Sequence, residues 1–217
     1  MKKLLNKEIL LTLHPTAILF WGLSAMMIIP NYPYYVVFFY VGLGIFFTCL
    51  NGRENNDVFY TMTLPVEKKD IVKARFILVI ALELIQVIFC IPFAILRQNI
   101  GIGENLAGMD ANITLFGLSF VMMGLFNLVF FNIYYKDVKK VGKAFGVASV
   151  FVFLYIFIAE ACAHAVPYVR EHLDTTDLPD ENLIPKFIVL LSGIIIYTAL
   201  TAFIYKKSVG RFKKLDI

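Results

Sequence analysis

Three ionisable side chains interrupt long apolar runs in this 217-residue chain: Glu83, Glu160 and His164. On insertion scales a charge at a bilayer centre costs roughly 2.5–3.5 kcal/mol, so such groups face protein or water. Gln86 follows Glu83 by three residues, on the same side of a helix. The two suit an interhelical hydrogen bond or the lining of a path or gate. Glu160 and His164, four apart, share a face near the end of another apolar run. They suit an interfacial pair in contact with water, or a pH-sensitive site at an outer gate. Glu-x-x-x-His alone lacks the further ligands of a metal site, so no metal is expected. The chain has no Gly-x-x-x-x-Gly-Lys-Ser/Thr loop to cradle phosphates, no His-Glu-x-x-His and no serine elbow. It is therefore read as non-catalytic.

A different kind of chemistry is offered by the polar stretch from Asn51 to Arg75. It carries five basic and four acidic residues, yet keeps Val58, Phe59, Tyr60, Met62, Leu64 and Val66. A bare connector between apolar spans needs only a few polar residues. Arg53 and Asp57 are spaced to pair on a helix face, and Asn56 or Asp57 suits a cap for a turn through Thr61. Leu64-Pro65 ends that turn, because the residue before proline disfavours helix. Pro65 then starts a second helix, in which Glu67 meets the N-terminal dipole and Asp70 pairs with Lys73. The expected result is a bent, partly apolar projection on which another protein docks.

The elements that hold these groups follow from composition. Hydrophobic residues make up 59% and charged residues 17%, against roughly 45–50% and 25% in soluble domains. Mean hydropathy is +0.76, so an all-α polytopic membrane protein is expected. At about 20 residues per span, six spans fit: 15–30, 34–50, 76–96, 112–135, 144–166 and 187–205. Residues 1–13 read as a basic amphipathic surface helix, 51–75 as the docking segment and 167–186 as an acidic element outside the membrane. One transmembrane domain covers 1–217. Seventeen of the 20 Lys and Arg residues fall on the side of both termini, the docking segment and the 136–143 connector. By the positive-inside rule that side is cytoplasmic, and the chain is a multi-pass protein of the cell membrane with both termini inside. The cysteines Cys49, Cys90 and Cys162 have no paired spacing and read as small core hydrophobes. Gly42 and Gly44 favour a close helix approach, while the Gly142-x-x-x-Gly146 pair suits either close packing of helices or subunits or a hinge beside the 136–143 connector. No nucleic-acid signature is present.

The order of pieces resembles the transmembrane subunits of bacterial ABC-2-type exporters, above all the small six-span permeases. The resemblance rests on Glu54 after the second span, Phe59-Tyr60, Leu64-Pro65-Val66, Lys69-Asp70-Ile71-Val72 and Ala74-Arg75-Phe76. In that family the corresponding stretch is a coupling helix seated on a cassette ATPase. The resemblance implies ATPase-facing or helix-setting roles for Glu54, Asp57, Phe59, Tyr60, Leu64, Pro65, Lys69, Asp70 and Arg75. It further implies a partner ABC ATPase that binds ATP and Mg, while this chain binds no cofactor. A second permease subunit, identical or homologous, would complete the assembly. The small members nearest in size and layout export amphipathic peptide toxins or protect antimicrobial-peptide producers. The expected function is thus an ATP-driven exporter permease for an amphipathic peptide or lipid-like substrate, with Glu83, Gln86, Glu160 and His164 as candidates for its path or gate. The competing expectation is a non-transporting immunity or sensor protein that binds a toxin peptide at its outer loops.

Overall fold

A computed structural model describes residues 1–176 and 182–214. Helices α1 (Lys2–Leu11) and α2 (Pro15–Leu19) are followed by a 3₁₀ segment (Phe20–Ile28), α3 (Tyr35–Glu54), α4 (Asp57–Met62) and α5 (Lys68–Asn99). Then come α6 (Ile113–Tyr134), α7 (Val141–Ala165), a π-helical turn (Val169–Leu173) and α8 (Leu183–Lys213). No strand occurs among the described residues.

Helices α3, α5, α6, α7 and α8 are each long and apolar enough to cross a membrane. The remaining expected span, 15–30, is not a straight α-helix. Pro15 opens α2 at its first turn, where its missing N–H costs nothing, and His14 caps it by accepting the Thr16 N–H at 3.3 Å. From Phe20 the chain tightens to 3₁₀ geometry. This segment rises more per residue than an α-helix, so a short run reaches further. It meets α1 at 94°.

Helix α6 is the hub. Asn112 caps it by accepting the Leu115 N–H at 3.1 Å, and it packs against α3, α7 and α8. Gly117 of α6 and Gly193 of α8 cross with backbones in contact, since a Cβ on Gly117 would stand 2.7 Å from the Val189 carbonyl oxygen. Seven residues on, a Cβ on Gly124 would lie 3.1 Å from the Tyr197 Cα. Gly44 likewise admits α2, with the Ala17 Cα 3.1 Å from its added Cβ, and Gly42 faces Phe126 of α6 at 3.1 Å. By contrast Gly142 and Gly146 meet nothing within 4 Å among the described residues, so that pair packs no helix there. Sixty-one per cent of the apolar window of α6 is buried against 11% of that of α7. The outward faces of α7 and α8, with Phe151, Phe157, Ile188 and Ile195 exposed, are left for lipid or another subunit.

Candidate functional site: an elbow at the basic end, a mid-span polar network and a cap at the far end

The elbow lies at the end of the bundle that carries the N-terminus, the start of α5 and the end of α8. Helix α3 stops at Glu54, and Asn56 takes a left-handed conformation (φ 51°), which asparagine tolerates better than most residues. That single residue reverses the chain into α4. Asn55 and Asn51 reach across to α1, donating to the Leu11 carbonyl at 2.8 Å and the Thr12 carbonyl at 3.2 Å. They cover carbonyls that a helix end leaves without partners.

The expected Arg53–Asp57 pair does not form. Arg53 turns to Glu54 at 2.5 Å and to the Lys139 carbonyl at 3.2 Å, tying the elbow to the 136–143 connector. Asp57 points inward and is 1% exposed. There it meets Arg75, whose Nη2 donates to Asp57 Oδ2 at 2.6 Å and whose Nε donates to Glu8 Oε2 at 2.5 Å. Lys7 closes the cluster on Glu8 Oε1 at 2.5 Å and on Asp57 Oδ2 at 3.4 Å. The third branch of the guanidinium donates to Cys49 Sγ of α3 at 3.4 Å. Burial works against the charge of Glu8, but Arg75 and Lys7 outweigh it and hold its carboxyl below the usual range. Two cations and two anions thus balance, three of them buried and Lys7 partly exposed at the rim. Removing one member of such a buried pair typically costs about 3–5 kcal/mol.

The opposite edge of α4 is open. Phe59 is 59% exposed and Tyr60 51%, beside a recess of about 60 Å³ lined by Gly52, Asn56, Val58, Phe59, Tyr134 and Lys139. Leu64 is half-buried, Pro65, Glu54 and Lys69 are exposed, and Asp70 is half-buried. Pro65 does not itself start a helix. Leu64 to Val66 form a tight turn, with the Val66 N–H on the Leu64 carbonyl at 2.8 Å, and α5 begins at Lys68. Lys69 pairs with Glu67 at 2.7 Å, and no Asp70–Lys73 ion pair forms among the described residues. Asp57 and Arg75 are therefore internal, while Glu54, Phe59, Tyr60, Pro65 and Lys69 stay at the surface.

In the middle of α5, Glu83 and Gln86 go to different neighbours. Asn127 Nδ2 of α6 donates to both Glu83 oxygens at 3.0 and 3.1 Å, and the Tyr197 hydroxyl of α8 donates at 2.6 Å. Gln86 donates to Ser24 Oγ at 3.1 Å and the Val37 carbonyl at 3.4 Å. Glu83 is therefore joined to α6 and α8, and Gln86 to the 3₁₀ segment and α3. Tyr197 and Thr201, members of the Glu83 network, also floor a groove of about 650 Å³ between α5 and α8. Past Phe120 and Ile194 a second groove of about 460 Å³ continues it towards Gln98 and Asn112.

At the far end, residues 103–112 form a cap held by carboxylates. Arg97, 2% exposed, donates to the Gly103 carbonyl at 2.8 Å and to Asp110 Oδ1 at 3.2 Å. Two successive backbone N–H groups, of Met109 and Asp110, donate to Glu160 at 2.8 Å and to Asp174 at 2.7 Å. Glu160 thus pins the cap rather than pairing with His164, which lies exposed. Burial raises the Asp110 carboxyl, and pushes Asp174 up to about 6. Part of the expected outer element, residues 177–181, lies outside the described residues. Sequence reasoning missed Glu8, Lys7, Asn127, Tyr197 and Asp174. Of these only Asn127 left a signal, as an isolated amide in the apolar run of α6.

Residues 3–209 match the family described as ABC-2 family transporter protein. The chain belongs to that family. It is accordingly a multi-pass membrane protein and a permease subunit of an ABC transporter, a transport component whose partner is an ABC ATPase. The long apolar helices agree with this assignment. The chain matches no curated protein and no solved structure.

Proposed function

We propose that this permease drives export, with α4 as the coupling helix on which a cassette ATPase docks. The carrying observation is the exposed pair Phe59 and Tyr60, at the tip of an elbow whose other side is locked into the bundle. Buried aromatic anchors dominate interface energies, and an aromatic pair left open on a short helix suits that use. On this reading the basic end is cytoplasmic, since it holds seventeen of the 20 Lys and Arg residues. Residues 1–13 lie on the inner membrane surface, and residues 103–112 with 167–186 face outside.

ATP and Mg act on the partner. This chain supplies the lever and the path, and the differing contacts of α4 with two ATPase states supply the shift. Two such permease subunits, identical or homologous, flank the path. The cargo is an amphipathic molecule, with antimicrobial or toxin peptides the favoured class. The apolar groove between α5 and α8, lined by Phe76, Ile80, Leu84 and Ile194 with Lys73 and Thr198 among its polar residues, supports an amphipathic cargo. The test is Phe59→Asp, which should abolish stimulation of the partner ATPase while the protein still inserts in the membrane. Normal stimulation would remove Phe59 from the interface.

A further inference from the structure

Arg75 sits where four elements meet. Its guanidinium carries contacts to Glu8 of α1, Cys49 of α3 and Asp57 of α4, and it belongs to α5. Two of its three nitrogen branches are spent on carboxylates, one on each of the two short helices. Both carboxylates are nearly solvent-free, with Glu8 at 0% and Asp57 at 1% exposure. Helix α3 yields to them rather than gripping them. A Cβ on Gly52 would stand 2.9 Å from Asp57 Oδ1, so the glycine makes room for the carboxylate. The chain link from α3 to α4 is the left-handed Asn56, which ends one helix and opens the other.

We infer that Arg75 is the positioning residue that makes α1, α4 and the start of α5 a single moving body, so that a push on the elbow drives the N-terminal helix along with α5. The inference rests on the reading of α4 as the ATPase's docking helix. Force enters at Phe59 and Tyr60, on the exposed edge of α4. It leaves through Asp57 one turn away, whose charge is held by Arg75. A neutral contact at this point could slide. A forked cation bound to two anions has a fixed distance and direction to each, because the planar guanidinium holds its donors rigidly. Lysine at this position offers one point charge and holds one carboxylate at a time. Helix α1 thereby becomes a second driven element, lying at 94° to the segment that follows it, rather than a passive float.

The experiment uses the full permease in nanodiscs with its copurifying cassette ATPase, and compares wild type, Arg75→Gln, Arg75→Lys and Glu8→Gln. Spin labels at Lys3→Cys and Thr63→Cys, on a background with the native cysteines replaced by serine or alanine, report the separation of α1 and α4 without nucleotide and with trapped ATP. In the wild type this separation is the same in both states. In Arg75→Gln the ATPase still copurifies, but the labels move apart on ATP binding and stimulation falls about tenfold, within the usual range of coupling between sites. Arg75→Lys recovers part of the stimulation, and Glu8→Gln uncouples α1 alone, so only the label separation changes. An unchanged separation in Arg75→Gln, with ATPase bound and stimulated normally, overturns the inference. Failure of the wild type to bind any cassette ATPase instead removes the docking reading on which it stands. If Arg75→Gln does not fold, Glu8→Gln carries the same separation test, and a fixed separation there refutes the inference.

Discussion

Glu83 offers a substitution pair with opposite expected signs. Its carboxylate makes three close contacts, Asn127 Nδ2 reaching both oxygens and the Tyr197 hydroxyl one of them, while Asn127 Oδ1 is buried without a donor. Glu83→Gln keeps an oxygen for Tyr197, and once the Asn127 amide flips, its new amide donates to Asn127 Oδ1. It also removes an ionisable group from mid-span, where a charge is costly. Glu83→Ala removes all three contacts. Interhelical side-chain bonds in membranes average about 0.6 kcal/mol, so three of them account for about 2 kcal/mol. The space left by the truncated side chain adds about 1 kcal/mol more. The alanine variant should therefore lose about 3 kcal/mol, and the glutamine variant should equal or exceed wild type. The assay is SDS-induced unfolding in mixed micelles, followed by fluorescence of Trp21. This single tryptophan donates to the Leu82 carbonyl at 3.3 Å and stacks on Phe89. A glutamine variant as unstable as the alanine variant would refute the reasoning, because it would make the charge itself the stabilising feature.

Two further outcomes follow from the far end and from the helix crossing. Asp174 titrates near 6 in the folded cap, above the ordinary aspartate value. The stability it contributes is complete below about pH 3.8 and is lost as pH rises through about 6. Cleavage of the 167–186 region by added protease should thus quicken between about pH 4 and about pH 6 after correction for the protease's own pH profile, and Asp174→Asn should flatten that rise. Gly193→Ala puts a methyl against the Gly117 carbonyl oxygen and should cost about 1–3 kcal/mol in the same unfolding assay. Gly146→Ala, which faces open space, should cost nothing measurable.

The long helices were legible because a run of twenty apolar residues has few other uses, and the boundaries of α6 and α7 lie within a few residues of the polar breaks around them. The first apolar run was harder to read. Pro15 marks its start, but hydropathy cannot distinguish an α-helix from the 3₁₀ turns after Phe20. Spacing also misassigned the ion pairs at the elbow. Arg53 and Asp57 sit one turn apart in sequence, yet Asn56 breaks the helix between them and sends Asp57 to a partner 18 residues away. Glu8 looked like a surface charge of an amphipathic helix, because nothing local in α1 announces a guanidinium arriving from α5. The same limit hid the Glu83 network. A lone glutamate signals that a partner exists, but Asn127 and Tyr197 come from helices whose rotation is fixed by the Gly117–Gly193 crossing. The Gly142–Gly146 pair shows the converse, since a spacing suited to close approach meets no helix among the described residues.

The account stands on the exposed edge of α4 being the grip of the ATPase. The direct measurement is the affinity of the cassette ATPase for nanodisc-embedded permease, comparing wild type, Phe59→Asp and Leu106→Asp, the last an exposed apolar position at the opposite end. Loss of a central aromatic anchor costs about 2 kcal/mol or more, so Phe59→Asp should weaken binding about thirtyfold or more while Leu106→Asp binds as wild type. Equal affinity for wild type and Phe59→Asp, or a loss confined to Leu106→Asp, would contradict it.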